Sequence, residues 1–220
     1  MYKRILLLGC SFMCGSYVQA ADSETAEQRT FRERPFKEAA STQQWFDAFR
    51  SDSKVDFAGL DAILEDFPSA IDVEVNERKD TALMFAAKSF NVPMVNFLLS
   101  RGANPTAVNV VGDTALHYAV DRINSDDQLQ KSAEIVALLL AKKLDPNVQN
   151  KRRKTPLMIA VDEDAIDSAR LLLEHKADPL LTDDLGRSAL TIARSPEMRK
   201  LLAEYTGAAA VAPAAAAAAR

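Results

Sequence analysis

From about residue 76 onward, apolar positions fall in pairs of short runs. The first run of each pair is compact: "ALMFAA" after Thr81, "ALHYAV" after Thr114, "PLMIAV" after Thr155 and "ALTIA" after Ser188. Leu83 and Ala86, like Leu116 and Ala119, stand three apart, the spacing of one helix face. The second runs present Val95, Leu98 and Leu99; Val136, Leu139 and Leu140; and Leu172 and Leu173. Each pair predicts a helical hairpin. The hydroxyls of Thr81, Thr114, Thr155 and Ser188 suit helix N-caps, and Pro156 suits a first helical position. Gly102 offers a left-handed stop, and Asn104-Pro105, Asp145-Pro146 and Asp178-Pro179 break each second helix into a turn. The repeated small residue Ala86, Ala119, Ala160 and Ala193 lets neighbouring helices approach closely.

The four hydroxyl positions are spaced 33, 41 and 33 residues apart. Leu99, Leu140 and Leu173 keep the same offsets once eight extra residues between Ala119 and Glu134 are allowed for. A 33-residue period with "TALMFA", "TALHYA", "TPLMIA" and "SALTIA" resembles the ankyrin repeat, whose signature is T-P-L-H-x-A. "VNFLLSRGANP", "VALLLAKKLDPN" and "ARLLLEHKADP" resemble that family's second helix and exit. The resemblance covers about residues 76–205 and implies an all-α solenoid of stacked helix-turn-helix units with short β-turn fingers. The units are 76–108, 109–149 with the insertion, 150–182, and a shortened 183–205 whose Arg199, Lys200 and Glu204 give a polar outer side. Residues 41–75 read as a degenerate N-terminal capping repeat, with Trp45, Phe46 and Phe49, then Phe57, Leu60, Ile63 and Leu64, closed by Pro68. The insertion is expected to be a loop between two helices, which costs little entropy.

The N-terminus differs. A basic "MYKR", an apolar "ILLLGCSFMCGSYV" and the small-residue end "VQA" read as a signal peptide over 1–20, cleaved after Ala20. The run is too short and diluted for a stable membrane span. Both cysteines, Cys10 and Cys14, fall within it, so a processed chain has no thiol chemistry. "LLGC" offers a minor alternative, lipidation at Cys10. Residues 21–40 read as a flexible leader and 206–220 as an Ala/Pro low-complexity tail. The expected location is periplasmic or secreted, in a bacterium. Net charge is −4, and losing Lys3 and Arg4 leaves 25 basic against 31 acidic residues. That balance argues against a nucleic-acid partner.

The motifs offer little to catalysis. Glycines are scattered singly, and neither G-x-S-x-G nor H-E-x-x-H occurs. His117 and His175 lie in different units without metal-ligand spacing. The family resemblance places His117 to hydrogen-bond the turns between repeats. Asp162-Glu163-Asp164 and Asp183-Asp184 lack the glycine turn of a calcium loop. No cofactor and no metal are expected. An enzymatic or small-ligand role would have to use these acidic corners.

The resemblance implies partner binding through turn tips and the exposed side of first helices. Carried over by register, the candidate binding residues are Arg78, Asp80, Val110, Val111, Asp113, Arg122, Lys151, Arg152, Lys154, Asp162 and Arg187. Val110 and Val111 either pack on a neighbouring finger or stand out as an apolar anchor. "KRRK", Lys151–Lys154, suits an acidic protein partner. The insertion, Arg122 to Lys131, is expected to help select that partner. The implied function is non-catalytic protein binding by a monomer outside the cytoplasm, as scaffold, inhibitor or immunity-type protector. By resemblance to some bacterial periplasmic members, an accessory role in peroxide defence is the alternative.

Overall fold

The computed structural model describes residues 57–66 and 68–206, all within the compact unit Phe49–Arg220. The expected signal segment, leader, tail and the Trp45, Phe46 and Phe49 stretch lie outside the described residues.

The chain builds paired helices that stack side by side. Helix α1, Phe57–Asp66, buries Leu60 and Leu64, one turn apart. A 3₁₀ helix, Pro68–Asp72, follows and buries Ala70 and Ile71. Pro68 thus opens a second short element rather than only closing the first. The hairpins α2/α3 (Ala82–Lys88 and Val92–Ser100), α4/α5 (Ala115–Ala119 and Asp126–Leu140), α6/α7 (Pro156–Asp162 and Ile166–Glu174) and α8/α9 (Ala189–Ile192 and Pro196–Thr206) come next. First helices pack in the row α2, α4, α6, α8, and second helices in the row α3, α5, α7, α9. The all-α solenoid expected from the period is therefore the observed architecture. β-structure among the described residues amounts to two isolated antiparallel bridges, Glu74 with Thr81 and Thr182 with Ser188.

Each unit repeats the same local solutions. Thr81 and Thr155 Oγ1 accept the Met84 and Met158 N–H at 3.4 and 3.3 Å. At Thr114 and Ser188 the reciprocal bond is formed: His117 Nδ1 and Thr191 Oγ1 accept the cap residue's own N–H at 3.1 and 2.9 Å. Three left-handed positions recur per unit. They are the finger (Lys79, Gly112, Arg153, Gly186), the turn between helices (Phe90, Arg122, Asp164) and the exit of the second helix (Gly102, Lys143, Lys176). After each exit Asn104, Asp145 and Asp178 Oδ1 accept the N–H two residues on, fixing the turns that their prolines announce.

The core lies between the two helix rows. Leu83, Leu116 and Leu157, equivalent by register, are no more than 1% exposed. Cutting one back to Ala would cost about 2–5 kcal/mol. Ala86, Ala119 and Ala160 are equally buried, so backbones meet closely at that level. In the last unit α8 stops after four residues and Ala193 becomes its C-cap, half-buried rather than interhelical. Helix α9 buries Met198, Leu201 and Leu202, with Lys200 and Glu204 exposed.

The insertion is not simply a loop. Helix α5 spans 15 residues against 9 for α3 and α7, and it starts at Asp126 behind a Ser125 cap. Asp126 and Asp127 stabilise that early start through the helix dipole, and Lys131 pairs with Asp127 one turn on at 2.6 Å. Most of the extra length has thus become helix.

The fingers as candidate interaction surface

A finger precedes each first helix, and its shape comes from one side chain. Five residues before each hydroxyl cap stand Asn76, Asn109, Asn150 and Asp183. Each Oδ1 accepts two backbone N–H groups of its own finger, two and four residues on. These are Arg78 and Asp80, Val111 and Asp113, Arg152 and Lys154, and Leu185 and Arg187, at 2.8–3.2 Å. One short side chain thereby closes each loop from inside and turns the residues between outward.

Neighbouring fingers are tied through the backbone. Val110 N–H donates to Arg78 O, Lys151 N–H to Val111 O and Asp184 N–H to Arg152 O, at 2.8–3.0 Å. Side chains add a second rung. Asn109 Nδ2 donates to Asp80 Oδ1 at 2.6 Å and Asn150 Nδ2 to Asp113 Oδ1 at 2.7 Å. Tyr118 Oη also donates to Asp80 Oδ1, at 2.9 Å. In the last finger Asp183 cannot donate, and its carboxylate is gripped by Arg187 Nε and Nη2 at 3.0 and 2.8 Å.

These ties set the protonation states. Burial pushes Asp80 up, but hydrogen bonds from Asn76, Asn109 and Tyr118, with the Arg78 charge, outweigh it and hold the carboxyl below its ordinary value. Burial together with Asp80 drives the Tyr118 phenol well above its own. Asp183, against the same burial penalty, is held low by Arg187 and the Leu185 N–H. His117 is buried between units, its Nε2 3.1 Å from Lys154 O and its Nδ1 accepting from Thr114. Burial lowers its pKa and keeps it neutral, with the proton on Nε2. The expected bond from His117 to the next repeat's turn is present.

The residues selected by register separate into three groups. Arg78, Val110, Val111, Lys151 and Arg152 are exposed along one edge, and the backbone rungs bring them into a single row. Val110 and Val111 keep 42% and 36% exposure, so packing on a neighbouring finger is not their fate. Asp80 corrects the expectation: it is 2% exposed and spent on structure. Asp113 and Lys154 are half-buried, the first holding Asn150 and the second offering its carbonyl to His117; Arg187 is exposed but committed to Asp183. Arg122 and Asp162 stand elsewhere, at the turns between helices, where Asp162 pairs with Arg194 at 3.4 Å. Leu185, which the same register places on the last finger, is 70% exposed and continues the row.

Away from the fingers, an open cleft of about 200 Å³ is lined by Leu129, Asp164, Ala165, Ile166, Asp167 and Ser168, where the lengthened α5 meets the start of α7. Asp164 and Ser195 are joined at 2.6 Å. Among the described residues no group of three or more His, Cys, Asp or Glu side chains gathers to hold a metal ion, and no helix is long and apolar enough to cross a membrane.

Comparison with known proteins agrees with the repeat geometry. A family model described as ankyrin repeats, in three copies, matches residues 59–129 and again 128–212. The chain is 42% identical over 80 residues to the ankyrin repeat, SAM and basic leucine zipper domain-containing protein 1 of Echinops telfairi, covering 36% of this chain and 16% of that protein. It is 38% identical over 102 residues to the Mustela putorius furo protein of the same name, covering 46% of this chain and 21% of that one. The chain thus spans about a fifth or less of the length of these relatives. With two adjoining matches across most of its length and the stacked hairpins they describe, the chain belongs to the ankyrin repeat family.

Proposed function

We propose that this chain is a non-catalytic protein-binding module that acts outside the cytoplasm and presents its finger row to one partner. Ankyrin repeats imply protein partners as a class. The observation that carries the reading for this chain is the finger row itself. Side chains of both signs and several apolar ones stand exposed on loops whose backbone is cross-tied from unit to unit. Such a surface is already ordered before it binds, so association costs little conformational entropy. The basic, apolar and small-residue pattern of residues 1–20 supports export. Masking another protein's surface suits an inhibitor or protector, and holding two proteins together suits a scaffold.

Site-directed photocrosslinking in the native host tests this. A crosslinker replacing Val110 is expected to capture a discrete protein, and one replacing Lys142, outside the fingers, to capture none. Fractionation is expected to find a chain shortened by residues 1–20 outside the cytoplasm. Full-length chain in the cytosol sinks the location, and equal crosslinking from both sites sinks the surface. A captured enzyme that loses activity on stoichiometric addition of this chain identifies a protector or inhibitor; one that does not identifies a scaffold.

A further inference from the structure

The finger row specifies the chemistry of what it binds. Through the backbone rungs, Arg78, Val111, Arg152 and Leu185 follow one another at the same position of successive fingers. The order is cation, apolar, cation, apolar. Arg152 and its neighbours Lys151 and Arg153 are exposed, and none pairs with an acidic group among the described residues. Arg78 has one partner, Asp113, at 3.9 Å, while that carboxylate is already engaged by Asn150. Three unpaired cations on one fingertip of a chain whose net charge is −4 form a local inversion of sign. The exposed acids of these finger loops are Glu77 on the first and Asp184 on the last; Asp113, on the second, is half-buried and engaged by Asn150.

We propose that Arg78, Val111 and Arg152 receive an extended acidic protein segment, with an apolar side chain flanked by carboxylates. This rests on the protein-binding reading and names the partner's chemistry. Packed helices lie about 8–10 Å apart, and successive fingers advance with them. A chain in the extended polyproline II conformation covers that distance in about three residues and, with three residues per turn, keeps every third side chain on one face. A segment crossing the fingers therefore places a carboxylate, an apolar residue and a second carboxylate at intervals of three. The carboxylates meet Arg78 and Arg152, each able to accept a guanidinium fork. The apolar residue meets Val111. Nucleic acid fits less well: the central position is aliphatic, and no aromatic side chain stands among the fingertips to stack a base.

The probe is a labelled synthetic peptide, Gly-Ser-Glu-Ser-Gly-Leu-Ser-Gly-Glu-Ser-Gly, titrated with the purified chain in a fluorescence anisotropy assay. Binding is expected, weakening as salt rises through the range that screens exposed charges. Arg152→Glu should weaken it by about tenfold or more, and Val111→Ser by about fivefold. Lys142→Glu, remote from the fingers, should leave it unchanged. A peptide with Lys for both Glu, or with the Glu residues moved next to each other, should bind at least about tenfold more weakly. All three substituted residues are exposed, and matching circular dichroism melts verify folding. No binding of the Glu peptide, equal binding of the Lys peptide, or tighter binding of an oligo-dT strand lost on Arg152→Glu would each overturn the proposal. If the Val110 crosslink persists while the peptide fails, protein binding stands and this partner chemistry falls.

Discussion

At residue scale the fingers depend on a few side chains that cannot be exchanged for apparent equivalents. Gly112 and Gly186 both occupy the left-handed position of a finger, at φ +81° and +71°. A Cβ on Gly186 would meet nothing within 4 Å, whereas one on Gly112 would stand 3.0 Å from Lys151 N and 3.1 Å from Asn150 Cα. Gly186→Ala therefore carries the backbone penalty alone, about 1 kcal/mol. Gly112→Ala adds overpacking of about 1–3 kcal/mol against a backbone that is itself tied in place. Urea denaturation of the two variants checks the ranking. His117 makes a second prediction. Its pKa is depressed by burial, so the unfolded chain takes up a proton first as pH falls. The stability it contributes is complete above about pH 6.5 and drains away below it. Melting temperature should fall between about pH 6.5 and 5 in the native chain, and that slope should be absent in His117→Gln. Register placed His117 correctly because the repeat brings the next unit's turn against that same position. It misplaced Asp80, since a charged residue on a turn looks wet until Asn109 and Tyr118 are seen to close over it. The recurring Asn76, Asn109, Asn150 and Asp183 were present in the chain all along. A search for caps passes over them, because they close the loop before the helix begins.

At the scale of elements, apolar spacing and cap residues located the hairpins well, because a helix face and its stop are short-range properties. The extra eight residues of the second full unit escaped that logic. Their polar composition reads as loop, but Ser125, Asp126 and Asp127 form a helix start, and α5 grows backward from its buried part. Anchoring to the next unit comes from Glu163, whose Oε2 accepts the Ile123 N–H at 3.1 Å. Further along, α5 and α7 meet at a polar pair invisible to periodicity: Ser132 and Ser168 Oγ lie 2.8 Å apart, both essentially fully buried. Either Ser→Ala change strands one buried hydroxyl and should cost about 1–3 kcal/mol. Replacing both removes the donor and the acceptor together. The double variant should therefore be less destabilised than the two singles summed, with a coupling of about 1 kcal/mol in a double-mutant cycle. Strict additivity would show that the two hydroxyls do not depend on each other.

Over the whole stack, stability is set unit by unit, because each hairpin touches its neighbours and little else. The ties between units are unequal. Between residues 109–149 and 150–182 the structure has a finger rung, Asp113 with Asn150, His117 with the Lys154 carbonyl, the buried serine pair and the Ile123 bond to Glu163. The last unit joins its neighbour through a finger rung, with Asp162–Arg194 and Asp164–Ser195 as exposed contacts. Exposed ion pairs contribute little. Its first helix is four residues long, and its outer side has no described unit beyond it. The terminal hairpin α8/α9 should therefore open without the rest. Native-state hydrogen exchange read by mass spectrometry is expected to show residues 189–206 exchanging at a distinctly lower opening free energy than 115–172. The central hairpins should exchange together, since breaking one of them strands the buried polar groups of the other. A single opening energy across both regions would mean that the stack unfolds as one body and that buried ties do not set its weak point. If the ends do open first, the fingers carrying Val111 and Arg152 sit on the most persistent part of the molecule, where a surface ready-made for a partner has to be.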